Sequence, residues 1–156
     1  MTTEQRITLN EFILRRLGQA DDIGLLKTMF VRSFGAGSFR EFWRYWNPVY
    51  GYYLYYYCYK PLRKILPRPL CVIITFGCSG FFLHDLLFLG WGIRALVKGR
   101  VTIPFVTFWF STMAILMLLA EAVKLDLSNK PLGMRVAVNC LYIALAFVFT
   151  FFVVSR

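Results

Sequence analysis

The sequence predicts an all-α integral membrane protein. About three transmembrane helices are expected, with a re-entrant fourth segment as a variant, preceded by short interfacial amphipathic helices. Three observations lead there. The chain of 156 residues is 58% hydrophobic and 17% charged, against about 45–50% and about 25% for an average soluble domain. The apolar excess is concentrated after residue 70, in stretches of about twenty residues. The net charge of +10 is weighted to the front, where residues 1–68 carry eleven basic against five acidic side chains.

The first elements are short. Leu9, Phe12, Ile13 and Leu17 recur at helical spacing, with Thr8 placed to cap, Glu11 at the capping-box position and Gly18 to stop the helix. Ile23, Leu26, Phe30 and Phe34 repeat the pattern over 22–34. Gly35-Ala36-Gly37 breaks it, and Ser38 can start a third helix running through Trp46. None is long enough to cross a bilayer. Basic residues beside large aromatics suit the membrane interface, and a small cap packed on the spans is the alternative. These residues form an N-terminal region, 1–48, in front of a transmembrane region, 49–156.

Residues 49–59 contain seven tyrosines in eleven positions. An apolar run of that length suits an interfacial or re-entrant segment, or a span extended by residues 60–66. Pro61, Pro67 and Pro69 then punctuate the chain among Lys60, Arg63, Lys64 and Arg68. The three spans are expected at 71–93, 101–120 and 136–154, with a loop from Glu121 to Arg135 turned by Pro131 and Gly133. The basic front places the N-terminus in the cytoplasm of a multi-pass protein, although Arg94, Lys98 and Arg100 in the next loop pull the other way. The first twenty residues hold Glu4, Arg6, Glu11, Arg15 and Arg16 without an apolar core, so no cleavable signal peptide is expected.

Composition also narrows the chemistry. The cysteines, Cys58, Cys71, Cys78 and Cys140, form no C-x-x-C pair, and one histidine cannot complete a zinc site, so no metal is expected. The basic front suits anionic headgroups or a phosphate-bearing acyl carrier; no nucleic-acid motif accompanies it, and no nucleic-acid partner is expected. His84 lies within the 71–93 stretch, where an ionisable group marks a functional site by default. Gly77 and Gly80 precede it by seven and four positions, leaving room beside the imidazole or letting a helix pack closely. Asp85 points about 100° away on a regular helix and is expected either to meet a cation, Arg94 or the cluster at 60–68, or to orient another element. Asn47, before Pro48, fits a helix C-terminal cap.

Phe42-Trp43-Arg44-Tyr45-Trp46-Asn47, then Tyr59-Lys60-Pro61-Leu62, then Phe76-Gly77-Cys78-Ser79-Gly80-Phe81-Phe82-Leu83-His84, resemble in order the motifs of the membrane-bound O-acyltransferase (MBOAT) family. The resemblance covers about residues 39–93. It implies that His84 is the catalytic histidine and Asn47 the second active-site residue. It also implies transfer of an acyl group from a thioester donor, such as acyl-CoA, to an acceptor hydroxyl, with no cofactor. Lys60, Arg63, Lys64 and Arg68 are candidates for donor phosphates or lipid headgroups. The alternative is a non-catalytic membrane subunit that binds lipid or a partner membrane protein. Three spans offer few helices to shield His84 and Asp85 from lipid, so a homo-oligomer or a partner subunit is expected.

Overall fold

A computed structural model describes residues 6–18, 22–86 and 104–154. Every regular element among them is helical. Helix α1, Leu9–Leu17, starts where the Thr8 hydroxyl accepts from the Glu11 backbone N–H and ends at Gly18, whose φ of +73° is the left-handed conformation that favours glycine. Helix α2 spans Asp22–Phe34, and α3, Phe39–Tyr45, is capped by Ser38 as the sequence predicts. Helix α4, Pro48–Leu54, runs through a π-helical turn, Tyr55–Tyr59, into the short α5, Lys60–Leu62. At a rise of about 1.5 Å per residue this run is shorter than the roughly 30 Å hydrocarbon core, so it does not cross by itself.

Helix α6, Arg68–Gly80, passes into a second π-helical turn, Phe81–Asp85. The described part of the first expected span is thus helical, and residues 87–93 lie outside the described residues. Helices α7, Phe105–Ala122, and α8, Leu132–Val154, are each long and apolar enough to cross a membrane. Only 17% of each apolar window is buried. A core helix of a soluble protein would be mostly covered; here Ile115, Leu119, Leu145, Phe149 and Phe152 are exposed, as lipid contact requires. Residues 101–103 of the second expected span lie outside the described residues. The loop expected from Glu121 to Arg135 is shorter, because Glu121 and Arg135 belong to helices. Pro131 sits just before α8, where its missing N–H costs nothing, so it begins that helix and does not merely turn a loop.

Helices α6 and α7 form an antiparallel pair along their length. Asp85 meets Val106 and Thr107 at one end, Gly77 faces Ser111 in the middle, and Arg68 holds Glu121 at 2.7 Å at the other. Helix α8 returns antiparallel to α7, with the Trp109 Nε1–H donating to the Ile143 carbonyl at 3.3 Å and Phe105 against Phe147. The N-terminal helices pack on this trio. Phe39 stacks on Tyr142 at 4.6 Å, Trp43 meets Phe76 edge-on at 4.9 Å, and the buried Asn139 of α8 donates to the carbonyls of Phe34 and Ala36 at the α2–α3 corner. On the outer side, Arg16 lies over the Phe12 ring at 4.1 Å and donates to the Arg44 carbonyl. Burial and the like charge of Arg44 push its guanidinium down to about 10, so it stays charged at neutral pH.

The α6–α7 contact is closest at Gly80. A Cβ there would lie 2.6 Å from the Thr107 Cα and 2.7 Å from the Val106 carbonyl oxygen, both backbone atoms that cannot swing aside. Gly80→Ala is therefore expected to destabilise the helix pair by about 1–3 kcal/mol, the usual range for overpacking. Gly133→Ala in the first turn of α8, where nothing lies within 4 Å, is expected to be neutral or slightly stabilising. Thermal unfolding in detergent checks both; equal midpoints for the two variants would contradict the close approach at Gly80.

Candidate functional site

His84 lies in the π-helical turn, closed by the Leu86 N–H donating to the Phe81 carbonyl at 2.8 Å, five residues back. Such turns are rare and recur at functional sites. His84 and Asp85 both reach α7, roughly one turn apart: the imidazole packs on Phe110 with ring centroids 5.0 Å apart, and Asp85 meets Val106 and Thr107. The His84 ring is half-buried. Its Nδ1 lies 3.2 Å from the Ser79 carbonyl oxygen. A carbonyl only accepts, so this contact requires the proton on Nδ1. In the neutral ring the lone pair is then on Nε2, the nitrogen a base would use.

Asp85 meets no basic side chain among the described residues; of the two roles the sequence allows, it takes the second and orients another element. It is 2% exposed and accepts from the Val106 N–H at 3.1 Å, the Thr107 N–H at 2.7 Å and the Thr107 hydroxyl at 2.7 Å. The carboxylate thus caps the N-terminus of α7, where unpaired N–H groups and the helix dipole favour negative charge. Arg94, the other expected partner, lies outside the described residues. Because one chain encloses Asp85, concealing that group gives no reason for an oligomer.

The helix face at Gly77 and Gly80 is not open. Thr107 and Ser111 of α7 occupy that face, so the glycines serve close helix packing.

Asn47 is the N-cap of α4, where the sequence suggests the C-cap of α3; Trp46 takes that place. Its backbone is left-handed at φ +40°, and its side-chain oxygen accepts from the Tyr50 N–H at 3.3 Å. Pro48 at the first helical position explains the outcome, since its fixed φ suits a helix start. The hydrogen bonds of Asn47 to Tyr50 and of His84 to Ser79 do not bring the two residues together. A run of aromatic contacts lies between them, with Trp46, beside Asn47, stacked on Phe42, Phe42 against Trp43, and Trp43 on Phe110, which packs on the imidazole. The Trp43 indole N–H is buried with no acceptor among the described residues.

The basic cluster divides. Arg63 and Lys64 are exposed, Arg63 donating to the Leu66 carbonyl at 2.7 Å, and Lys60 lies over the Tyr56 ring at 5.6 Å. Arg68 donates to both carboxylate oxygens of Glu121, at 3.0 and 2.7 Å, and Arg40 joins from α3 at 3.3 Å. Sequence reasoning gave no role to Phe110, to the Ser79 carbonyl or to Glu121, and quoted Trp43 only as part of a motif. Only Glu121, a lone acid ending an apolar stretch, carried a signal of its own.

The family model described as MBOAT, membrane-bound O-acyltransferase family, matches residues 6–97, more than half of the chain. The chain belongs to that family. The matched segment contains Asn47, the basic cluster and His84. No curated protein and no solved structure matches the chain significantly. For a membrane-bound O-acyltransferase family member, the apolar, largely uncovered surfaces of α7 and α8 are what a bilayer would surround.

Proposed function

We propose that this protein is a multi-pass membrane acyltransferase that moves an acyl group from a thioester donor, such as acyl-CoA, to an acceptor hydroxyl. The observation that carries this is the hydrogen bond from His84 Nδ1 to the Ser79 carbonyl, in a chain of the MBOAT family. It selects the tautomer with the Nε2 lone pair. That nitrogen takes the proton of the acceptor hydroxyl as its oxygen attacks the thioester carbonyl carbon. The tetrahedral intermediate collapses with breakage of the carbon–sulfur bond, and the thiolate leaves with the proton held by His84. Asn47 has its side-chain oxygen engaged by Tyr50 and keeps its amide donors for the developing oxyanion or the acceptor.

Lys60, Arg63 and Lys64 are the residues for donor or headgroup phosphates. Arg68, paired with Glu121, shapes that surface more than it binds. The N-terminal helices lie on the cytoplasmic side, among membrane lipid. A second copy or another membrane subunit completes the enclosure around His84. The non-catalytic subunit has one observation in its favour: Asn47 is fully accounted for as a helix cap.

The test is purified protein in lipid vesicles with a long-chain acyl-CoA and candidate alcohols, following thiol release and acylated product. Asn47→Ala is expected to lower the rate by about 10²–10³-fold if its amide stabilises the transition state, on the scale of a lost oxyanion donor, while Asn47→Asp keeps the cap. A cap-only role predicts that Asn47→Asp is fully active. No thiol release with any acceptor would favour the subunit reading.

A further inference from the structure

A polar crevice of about 340 Å³ opens between the α2–α3 corner, the loop before α8 and the first turn of α8, lined by Arg32, Glu41, Tyr45, Ser128 and Arg135 among others. Ser128 and Arg135 lie outside the family-matched residues 6–97. Two guanidinium groups border it. Arg135 donates through Nη1 to the Gly35 carbonyl at 2.8 Å, while its Nε–H is buried with no acceptor among the described residues. Arg32 donates to the Arg16 carbonyl at 3.3 Å and leans over the Tyr45 ring at 5.9 Å. Neither forms an ion pair among the described residues. The carboxylate present, Glu41, is held by the Gly37 N–H at 3.3 Å. The start of α8 adds the positive end of a 23-residue helix. The crevice is therefore a cationic concavity bordered by two arginines, one of which, Arg135, carries a buried N–H without an acceptor among the described residues.

Its depth indicates the ligand. Arg135 is in the first turn of α8, where a membrane-crossing helix passes from headgroups to hydrocarbon. The group that meets arginines at that level and supplies several acceptor oxygens is a phosphodiester. We infer that this crevice binds the phosphate of an anionic phospholipid headgroup. The bound lipid ties the α2–α3 corner to α8 from outside the acyl-transfer residues. The inference requires α8 to cross the bilayer and does not require catalysis.

The experiment compares retention of phosphatidylglycerol and phosphatidylcholine by the purified full chain in detergent, using native mass spectrometry. Phosphatidylglycerol is expected to be retained preferentially. Arg32→Gln and Arg135→Gln are each expected to weaken its retention about fivefold, the worth of one arginine near an anionic headgroup. Arg15→Gln, which removes only an exposed pair with Glu11 on α1, should change nothing. Arg135 also anchors Gly35, so if Arg135→Gln does not fold, Arg32→Gln alone decides. Equal retention of the two lipids, or wild-type retention by the folded arginine variants, overturns the site. Displacement of phosphatidylglycerol by millimolar inorganic phosphate, with the same dependence on Arg32, overturns the lipid assignment in favour of a soluble phosphate compound.

Discussion

His84→Ala is expected to lower acyl transfer by about 10²–10⁴-fold, the usual contribution of a positioned general base, with little loss of stability. Both halves follow from the geometry. Among its contacts, the imidazole gives up half-buried packing on Phe110 and the 3.2 Å hydrogen bond to Ser79. A typical hydrogen bond contributes only about 1 kcal/mol net. The activity depends on a single nitrogen with a defined lone pair. His84→Gln retains a polar side chain but supplies no basic nitrogen, so it should be nearly as inactive as His84→Ala. The measurement is initial rate in vesicles set beside the unfolding midpoint in detergent for each variant. A His84→Ala protein that retains its rate within about tenfold would remove the histidine from the chemistry. A variant that unfolds in step with its loss of activity would make the residue structural.

Local signals in the sequence survive into the fold. Thr8, Gly18 and Ser38 cap the helices they flank because a cap depends only on residues within one turn. The long apolar stretches become α7 and α8 because length and hydropathy need no partner to be read. Contacts made across the chain were not legible. Asp85 finds its partners 21 and 22 residues later, on a helix start whose orientation no local pattern specifies. Arg68 and Glu121 meet over 53 residues because α6 and α7 are antiparallel over their full length. The π-helical turn at Phe81–Asp85 has no composition of its own, and it contains both His84 and Asp85, which meet α7. Asn47 is different: Asn-Pro fits a helix end and a helix start alike, and Pro48 favoured the start. Of the candidate site, the identity of His84 was legible from one histidine in an apolar stretch. Its tautomer was not, since that is set by a carbonyl reached only in the π-helical turn.

Asp85 should behave in the opposite way to its neighbour: Asp85→Ala is expected to cost about 2–4 kcal/mol of stability, more than His84→Ala. The carboxylate is almost fully enclosed and accepts three hydrogen bonds, two from backbone N–H groups that begin α7. Hydrogen bonds to a charged group are worth about 1.5–3 kcal/mol, and losing a helix cap alone costs about 1. Removing the acceptor also leaves two backbone donors orphaned next to Gly80, where α6 and α7 are in backbone contact and water has little room. Asp85→Asn keeps one oxygen toward these donors but turns an amide N–H₂ toward the rest, so it should fall between wild type and alanine. Unfolding midpoints in detergent, read by loss of helical circular dichroism, rank the three proteins. Thr107→Val separates the hydroxyl from the backbone bonds: it deletes one donor to the carboxylate and keeps the cap, so its loss should be smaller than that of Asp85→Ala. If Asp85→Ala unfolds at the wild-type midpoint, the carboxylate does not hold the start of α7, and the two neighbours in the π-helical turn would need a different division of labour.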